Sequence, residues 1–204
     1  MSNPRVYPTA QGPLVRVAER FAQPARRRRV EQFVRLAAIG PSTRIVDIGC
    51  GRLGLRELAP DLDITGVDVN EHPEYPGPFV CADATERLPF FDDEFDLAYA
   101  NSVIEHIAPD ARAAFAREVR RVARGWYVQT PAFGFPVEPH SLLPGAHWLP
   151  PPWRRRYWRL GASGSDPDAI SLLGRREFEA LFGPAFAERF GPLAKSWIAF
   201  RRPE

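Results

Sequence analysis

Lysine is almost missing from this sequence: Lys195 stands alone beside 26 arginines. With alanine and proline plentiful, that imbalance reads as GC-rich coding, and no function is drawn from it. Cysteine is scarce as well. Cys50 and Cys81 form neither a metal-binding spacing nor a disulfide framework, as expected in a reducing compartment. No apolar run reaches about 18 residues and no signal pattern opens the chain, so a cytoplasmic protein that neither crosses a membrane nor is exported is expected. The net charge of +2 argues against a strongly electrostatic nucleic-acid binder. No internal repeat is visible, and 204 residues suit one domain, 1–204, with a sizeable core.

What is present concentrates in residues 44–54, Arg-Ile-Val-Asp-Ile-Gly-Cys-Gly-Arg-Leu-Gly. A β-branched apolar run delivers Asp47 two residues before a glycine loop. Gly49 and Gly51 let the backbone approach a ligand closely. Asp68 closes the next apolar run, where a carboxylate is placed to take both hydroxyls of an adenosine ribose. Two adenosine cofactors compete. Glycines 49, 51 and 54 satisfy Gly-x-Gly-x-x-Gly, the fingerprint of a nicotinamide dinucleotide and its oxidoreductases. Asp47 discriminates between them. A pyrophosphate is anionic and wants backbone N–H groups with no carboxylate nearby, whereas S-adenosylmethionine carries a cationic sulfonium and ammonium.

A coarse pass gives alternating elements. Val30, Phe33, Val34 and Ala37 fall at helical spacing up to Gly40-Pro41, within an N-terminal helical region 1–40. The arginine run 26–29 reads as a solvated face. Strands are predicted at 44–48, 63–68, 79–81, 95–101 and 126–129, with helices starting near Gly54 and Pro109, the latter ended by Gly125. A helix at 175–182 and strands at 185–190 and 196–200 complete a seven-stranded, Rossmann-like, doubly wound and mostly parallel α/β sheet with helices on both faces. The strand-end rule then gathers Asp47, Asp68, Asp83 and Asn101 into one crevice.

From Arg44 to Pro131 the sequence resembles the small single-domain class I S-adenosylmethionine-dependent methyltransferases. The resemblance rests on the glycine loop, Asp68, Ala82-Asp83-Ala84, Leu88-Pro89-Phe90 and the run Phe95–His106. One departure stands out: the family's third glycine often lies at the place of Leu53, and here it is Gly54. The resemblance implies S-adenosylmethionine as cofactor and a final strand inserted antiparallel between its neighbours. Gly49, Cys50 and Gly51 then belong to the cofactor loop, Asp68 takes the ribose, and Val69 packs the adenine. Asp83 and Ala84 hold the adenine edge, and Asn101 with Ser102 lies beneath the methionine end. For Cys50 the reading is a small residue that fits.

The acceptor side is carried by Glu105-His106 after the fourth strand and by the unusual segment that follows the fifth. Seven prolines lie between Pro131 and Pro152, and three of the five tryptophans between 148 and 158. The segment 131–172 reads as a stiffened substrate-side lid, with Glu138 and His140 as its candidates for chemistry beside Glu105 and His106. Each has a bland alternative, a structural Glu-His pair or lid surface residues. The Trp/Arg/Tyr mixture at 148–159 suits peripheral contact with a lipid–water interface, stacking on a sugar, or packing on its own domain. Glu105-His106 with a later histidine also resembles metal-assisted O-methyltransferases, which carry a further glutamate where this chain has Ser102. No metal is expected on that ground. The reading is transfer of a methyl group to an oxygen of a small or medium acceptor, with a glycan or lipid-linked molecule foremost. It draws on a loose resemblance to bacterial methyltransferases with Phe-Pro-x-Glu-Pro-His lids. A methyltransferase-like binding subunit without catalysis is the non-enzymatic alternative.

Overall fold

A computed structural model describes residues 26–40, 42–161 and 166–203. Pro41 and residues 1–25 of the expected N-terminal region lie outside the described residues, as do positions 162–165 of the expected lid.

Seven strands form one sheet: β1 (Arg44–Ile48), β2 (Asp63–Asp68), β3 (Phe79–Cys81), β4 (Phe95–Asn101), β5 (Ala123–Pro131), β6 (Ala185–Phe190) and β7 (Leu193–Arg201). Their order across the sheet is β3-β2-β1-β4-β5-β7-β6. The first five pair in parallel, and β7 lies antiparallel between β5 and β6, as the sequence implied.

Strand side chains divide by parity, as a sheet buried on both faces requires. Val46, Ala98, Ala100 and Val128 point to one face, covered by α2 (Arg112–Val122) through Phe115 and Val119 and by α4 (Arg175–Phe182) through Phe178 and Phe182. Ile45, Leu97, Tyr99 and Tyr127 point to the other, where α1, residues 26–37 of the described chain, lays Val30, Phe33 and Ala37. Burying such side chains supplies about 1.5–3 kcal/mol each relative to exposure, which is why α1 docks although it starts in a run of arginines.

Three expectations need correction. The helix foreseen at Gly54 is a single 3₁₀ turn, Leu55–Glu57. Only eight residues separate Gly54 from β2, and Pro60 among them disfavours a longer helix. Gly125 does not stop α2. The helix ends at Val122, Ala123 turns extended, and Gly125 pairs with Leu97 inside β5. Arg29 is also not part of a solvated face, because it pairs with Glu188 at 3.0 Å and donates to Asn101 Oδ1 at 3.3 Å.

The segment after β5 has a small core of its own. A bridge from Val137 to Pro144 folds it back, a 3₁₀ turn covers Ala146–Trp148, and α3 (Pro151–Trp158) follows. Ala146, Trp158 and Ile170 pack together, with Leu143 and Leu172 beside them. Its two ends meet where Ala132 pairs with Leu173. Arg112 fastens the return. This guanidinium is 3% exposed, pairs with Glu177 and donates to the carbonyls of Ile107 and Ser171. Arg112→Ala is therefore expected to lower unfolding free energy by about 2–3 kcal/mol, the scale of losing hydrogen bonds made by a charged, buried group. Urea denaturation checks it, and a loss under half a kcal/mol would show the tie to be ornamental.

Candidate active site

At the carboxyl ends of β1, β2 and β3 lies a cavity of about 340 Å³, walled mainly by Val67, Val69, Ala82, Ala84, Val103 and Ile107. Its shape follows from the loop after β1. The N–H groups of Gly49 and Cys50 both donate to the Val67 carbonyl, at 2.8 and 3.1 Å, which pins the loop to β2. Gly49 has φ +73°, and a Cβ there would lie 2.4 Å from Val103 Cγ2, so a side chain would collide with the cavity wall.

Asp47 sits beneath this loop rather than in the cavity wall. Its Oδ2 accepts the Leu55 N–H at 2.6 Å. A Cβ on Gly54 (φ +58°) would lie 2.4 Å from the same oxygen. The shift of the third glycine from 53 to 54 thus has a local cause: the carboxylate occupies the space a side chain would need. Burial pushes the Asp47 pKa up to about 7, against the lowering by the Leu55 hydrogen bond and with a smaller push from Asp68.

Of the residues singled out for the cofactor, the structure brings Gly49, Asp68, Val69, Asp83 and Ala84 to the cavity. Asp68 accepts from the N–H of Gly51 at 3.0 Å and of Asn70 at 2.9 Å. Asp83 is steadied by the Thr85 N–H and hydroxyl, both on Oδ1. Cys50, Gly51, Asn101 and Ser102 stand outside the wall. Cys50 is buried and its thiol donates to the Gly51 carbonyl; burial, then Asp47, pushes its pKa up, so it is an inert packing group. Asn101 is held by Arg29, and the Ser102 hydroxyl donates to Gln129 Oε1 at 3.0 Å.

The four residues named for chemistry converge. Glu105 and His106 lie on the 3₁₀ turn Ile104–His106, and His106 also lines the cavity. His140 Nε2 is 3.2 Å from His106 Nε2, and its Nδ1 is 2.7 Å from Glu138 Oε1. Glu138 is fully buried rather than on a lid surface, and its Oε2 accepts from the N–H groups of His140 and Ser141 and from the Ser141 hydroxyl. Glu105 is equally buried, with Oε2 accepting from the Thr130 hydroxyl at 3.0 Å. Burial opposes charge on His140, but the hydrogen bond and charge of Glu138, with Glu105, outweigh it and hold the pKa above the ordinary value. Burial, then the His140 charge, drives His106 down to about 4, so it presents a neutral ring at neutral pH. Thr130, Ser141 and Arg29 were not foreseen. A hydroxyl at a strand end and a serine three residues after a glutamate are common, and only the fold shows what they touch.

No lysine or arginine lines the cavity among the described residues, and the loop leads into a 3₁₀ turn instead of an α-helix. A dinucleotide pyrophosphate would find neither a cation nor a helix N-terminus there. Carboxylates at two strand ends, apolar walls and a glycine cradle suit a nucleoside that bears positive charge.

Residues 46–125 match the methyltransferase domain family. Over that stretch the chain is similar to methyltransferase domains. Solved structures agree on the fold. A methyltransferase from Methanosarcina mazei is 17% identical, with a TM-score of 0.53, over 84% of this chain and 98% of that one. The Burkholderia thailandensis 1,6-didemethyltoxoflavin N1-methyltransferase, solved with S-adenosylhomocysteine, is 15% identical, with a TM-score of 0.52, over 97% and 92%. A small RNA methyltransferase is 19% identical, with a TM-score of 0.57, over 100% of this chain and 27% of that one. No curated protein matches significantly. The cofactor that this match and the fold support is S-adenosylmethionine.

The buried acid beneath the loop gives the protein a pH signature. Between about pH 4 and 7 the folded state keeps a proton on Asp47 that the unfolded chain has released, so stability from this group is present in acid and lost as pH rises through 7. The full difference is on the order of 4 kcal/mol. Asp47→Asn keeps an acceptor for Leu55 and removes the titration. The cofactor-free variant should hold its urea midpoint better than the parent from pH 5 to 8; parallel pH profiles would overturn this account. Asp68→Ala should weaken calorimetric S-adenosylmethionine binding by about 1.5–3 kcal/mol. Unchanged affinity would confine Asp68 to bracing Gly51 and Asn70.

Proposed function

We propose that this S-adenosylmethionine-dependent methyltransferase transfers its methyl group to an oxygen of a small or medium acceptor, with a glycan or lipid-linked molecule as the leading class. The observation that carries the reading is the chain of contacts Glu138–His140–His106, which runs from a buried carboxylate to the wall of the cofactor cavity. A histidine held by a carboxylate is an oriented proton handler, and an oxygen acceptor, unlike an amine free base, needs its proton managed. The acceptor hydroxyl gives up its proton to this cluster and its oxygen attacks the methyl carbon. The carbon–sulfur bond then breaks with its electron pair on sulfur, leaving the methyl ether and S-adenosylhomocysteine. Alignment supplies most of the acceleration, which suits a stiff segment 131–172 over the acceptor.

Exposed Trp153 and Arg156 on α3, with exposed Leu160 just beyond its end, support the lipid-linked or glycan class, since such side chains offer both stacking and a lipid–water interface. No described helix is long and apolar enough to cross a membrane. An activity screen with labelled S-adenosylmethionine over glycan, lipid-linked, small-phenol and RNA pools identifies the acceptor. Label arriving only in RNA would replace this reading.

With the acceptor in hand, His140→Ala is expected to cut kcat by about 10²–10⁴-fold while leaving S-adenosylmethionine affinity nearly intact. The reason is spatial: cofactor contacts come from β1 to β3, whereas His140 follows β5. Full activity in both His140→Ala and His106→Ala would mean the nucleophile needs no base, as for a thiolate, and the oxygen preference would fall.

A further inference from the structure

The stretch around α3 holds three tryptophans, and the structure divides them. Trp158 is buried with Ala146 and Ile170, as packing on the protein itself requires. Trp148 and Trp153 stay in solvent, the latter 65% exposed, together with Leu149 and, just past the helix end, Leu160 at 70%. Exposed apolar side chains scattered singly are ordinary. Here only the three prolines 150–152 lie between Leu149 and Trp153, and they are exposed as well. Those prolines stiffen the backbone, so presenting the side chains around them costs little conformational freedom.

Charge and hydrogen bonding say what this surface suits. From Pro139 to Gly161 the chain has no aspartate, glutamate, asparagine or glutamine, while four arginines fall within 154–159. Arg154 and Arg155 share Asp168, at 2.8 and 2.5 Å. Arg156 and Arg159 are exposed and pair with no carboxylate among the described residues. The Trp148 indole N–H is already spent on the Phe133 carbonyl at 3.0 Å, which leaves its ring as apolar surface. A sugar would find aromatic rings here but no amide or carboxylate side chain for its hydroxyls. An RNA would satisfy the arginines and leave Leu149, Leu160 and the prolines in water. The surface of an anionic bilayer satisfies both, because apolar side chains enter the boundary below the headgroups while arginines meet lipid phosphates.

We propose that Trp148, Leu149, Trp153, Arg156, Arg159 and Leu160 form a docking surface for an anionic phospholipid bilayer. With a net charge of only +2, the chain as a whole is a weak cation, so the attraction belongs to this surface and to its two unpaired arginines. The surface sits on the same bridged segment that supplies Glu138 and His140, so docking ties the histidine pair to the bilayer. That consequence, an acceptor drawn from the lipid phase, rests on the methyl-transfer reading above. Binding to lipid does not.

Vesicle flotation tests the surface, using the full, tag-free chain with no cofactor or acceptor present. Vesicles of mixed phosphatidylcholine and phosphatidylglycerol should carry the protein, pure phosphatidylcholine far less, and added salt should release it. Arg156→Gln combined with Arg159→Gln should weaken binding about 25-fold, roughly fivefold for each charge. Trp153→Ser combined with Leu160→Ser should weaken it by at least about tenfold. Arg117→Gln combined with Arg176→Gln removes the same charge from exposed positions on α2 and α4 and should bind like the parent. Circular dichroism checks that each variant folds, as substitutions at exposed positions should. A parent chain that ignores the mixed vesicles would overturn the proposal. So would equal losses in the α3 variants and the charge-matched control, which would reduce the effect to net charge. Binding of a single-stranded RNA oligonucleotide through the same residues, with vesicles left unbound, would assign the surface to RNA instead. Vesicle binding by a chain that methylates nothing in the acceptor screen would keep the docking surface and sink only the methyl-transfer reading.

Discussion

A single hydrogen bond, from the Leu55 N–H to the buried Asp47 carboxylate, organises much of what surrounds the cofactor cavity. It ties the end of β1 to the 3₁₀ turn that follows the glycine loop, and so sets how far the loop leans over β2. From there the constraint passes outward. Gly54 has no room for a side chain beside that oxygen, while Gly49 and Cys50 fasten to the Val67 carbonyl and Gly51 fastens to Asp68. Removing a carboxylate from water is expensive, and the protein meets the cost with one short hydrogen bond and a pKa raised to about 7. A ligand bearing positive charge relieves that stress, whereas a pyrophosphate adds to it. The cofactor preference is thus written into the interior of the loop as well as into the cavity wall.

The acceptor side rests on the same economy. Glu105 and Glu138 are both fully buried, and each is held by side chains contributed from a distant part of the chain or from a tight turn. The sheet makes this possible. Thr130 at the end of β5 reaches Glu105 because β4 and β5 are parallel neighbours, and the segment after β5 returns over the same end of the sheet to deliver Glu138 and His140. The backbone closes the arrangement, with the Ser171 N–H donating to the Glu105 carbonyl at 2.8 Å.

Much of this was legible in the residues. The strand runs 44–48, 63–68, 79–81 and 95–101 coincide with β1 to β4, since each is a short apolar or β-branched stretch bounded by turn residues. Asp68, Val69, Asp83 and Ala84 reach the cavity because a parallel sheet puts successive strand ends together. What the pattern did not carry was local. Asp47 reads as a ligand contact in sequence, but lies under the loop because Leu55 has an N–H to satisfy. Gly125 looks like a helix stop until pairing with Leu97 claims it for β5. Arg29 belongs to a charged run and yet finds Glu188, 159 positions away, which no periodicity encodes.

The neck formed by Ala132 and Leu173 has a consequence for how such a protein diversifies. The segment it encloses closes on itself at that bridge, carries its own packed centre in Ala146, Trp158 and Ile170, and among the described residues lines no part of the cavity at the ends of β1 to β3. It is therefore a cassette. Exchanging it between Ala132 and Leu173 would replace Glu138, His140 and the exposed tryptophans together and leave the loop over Asp47 untouched.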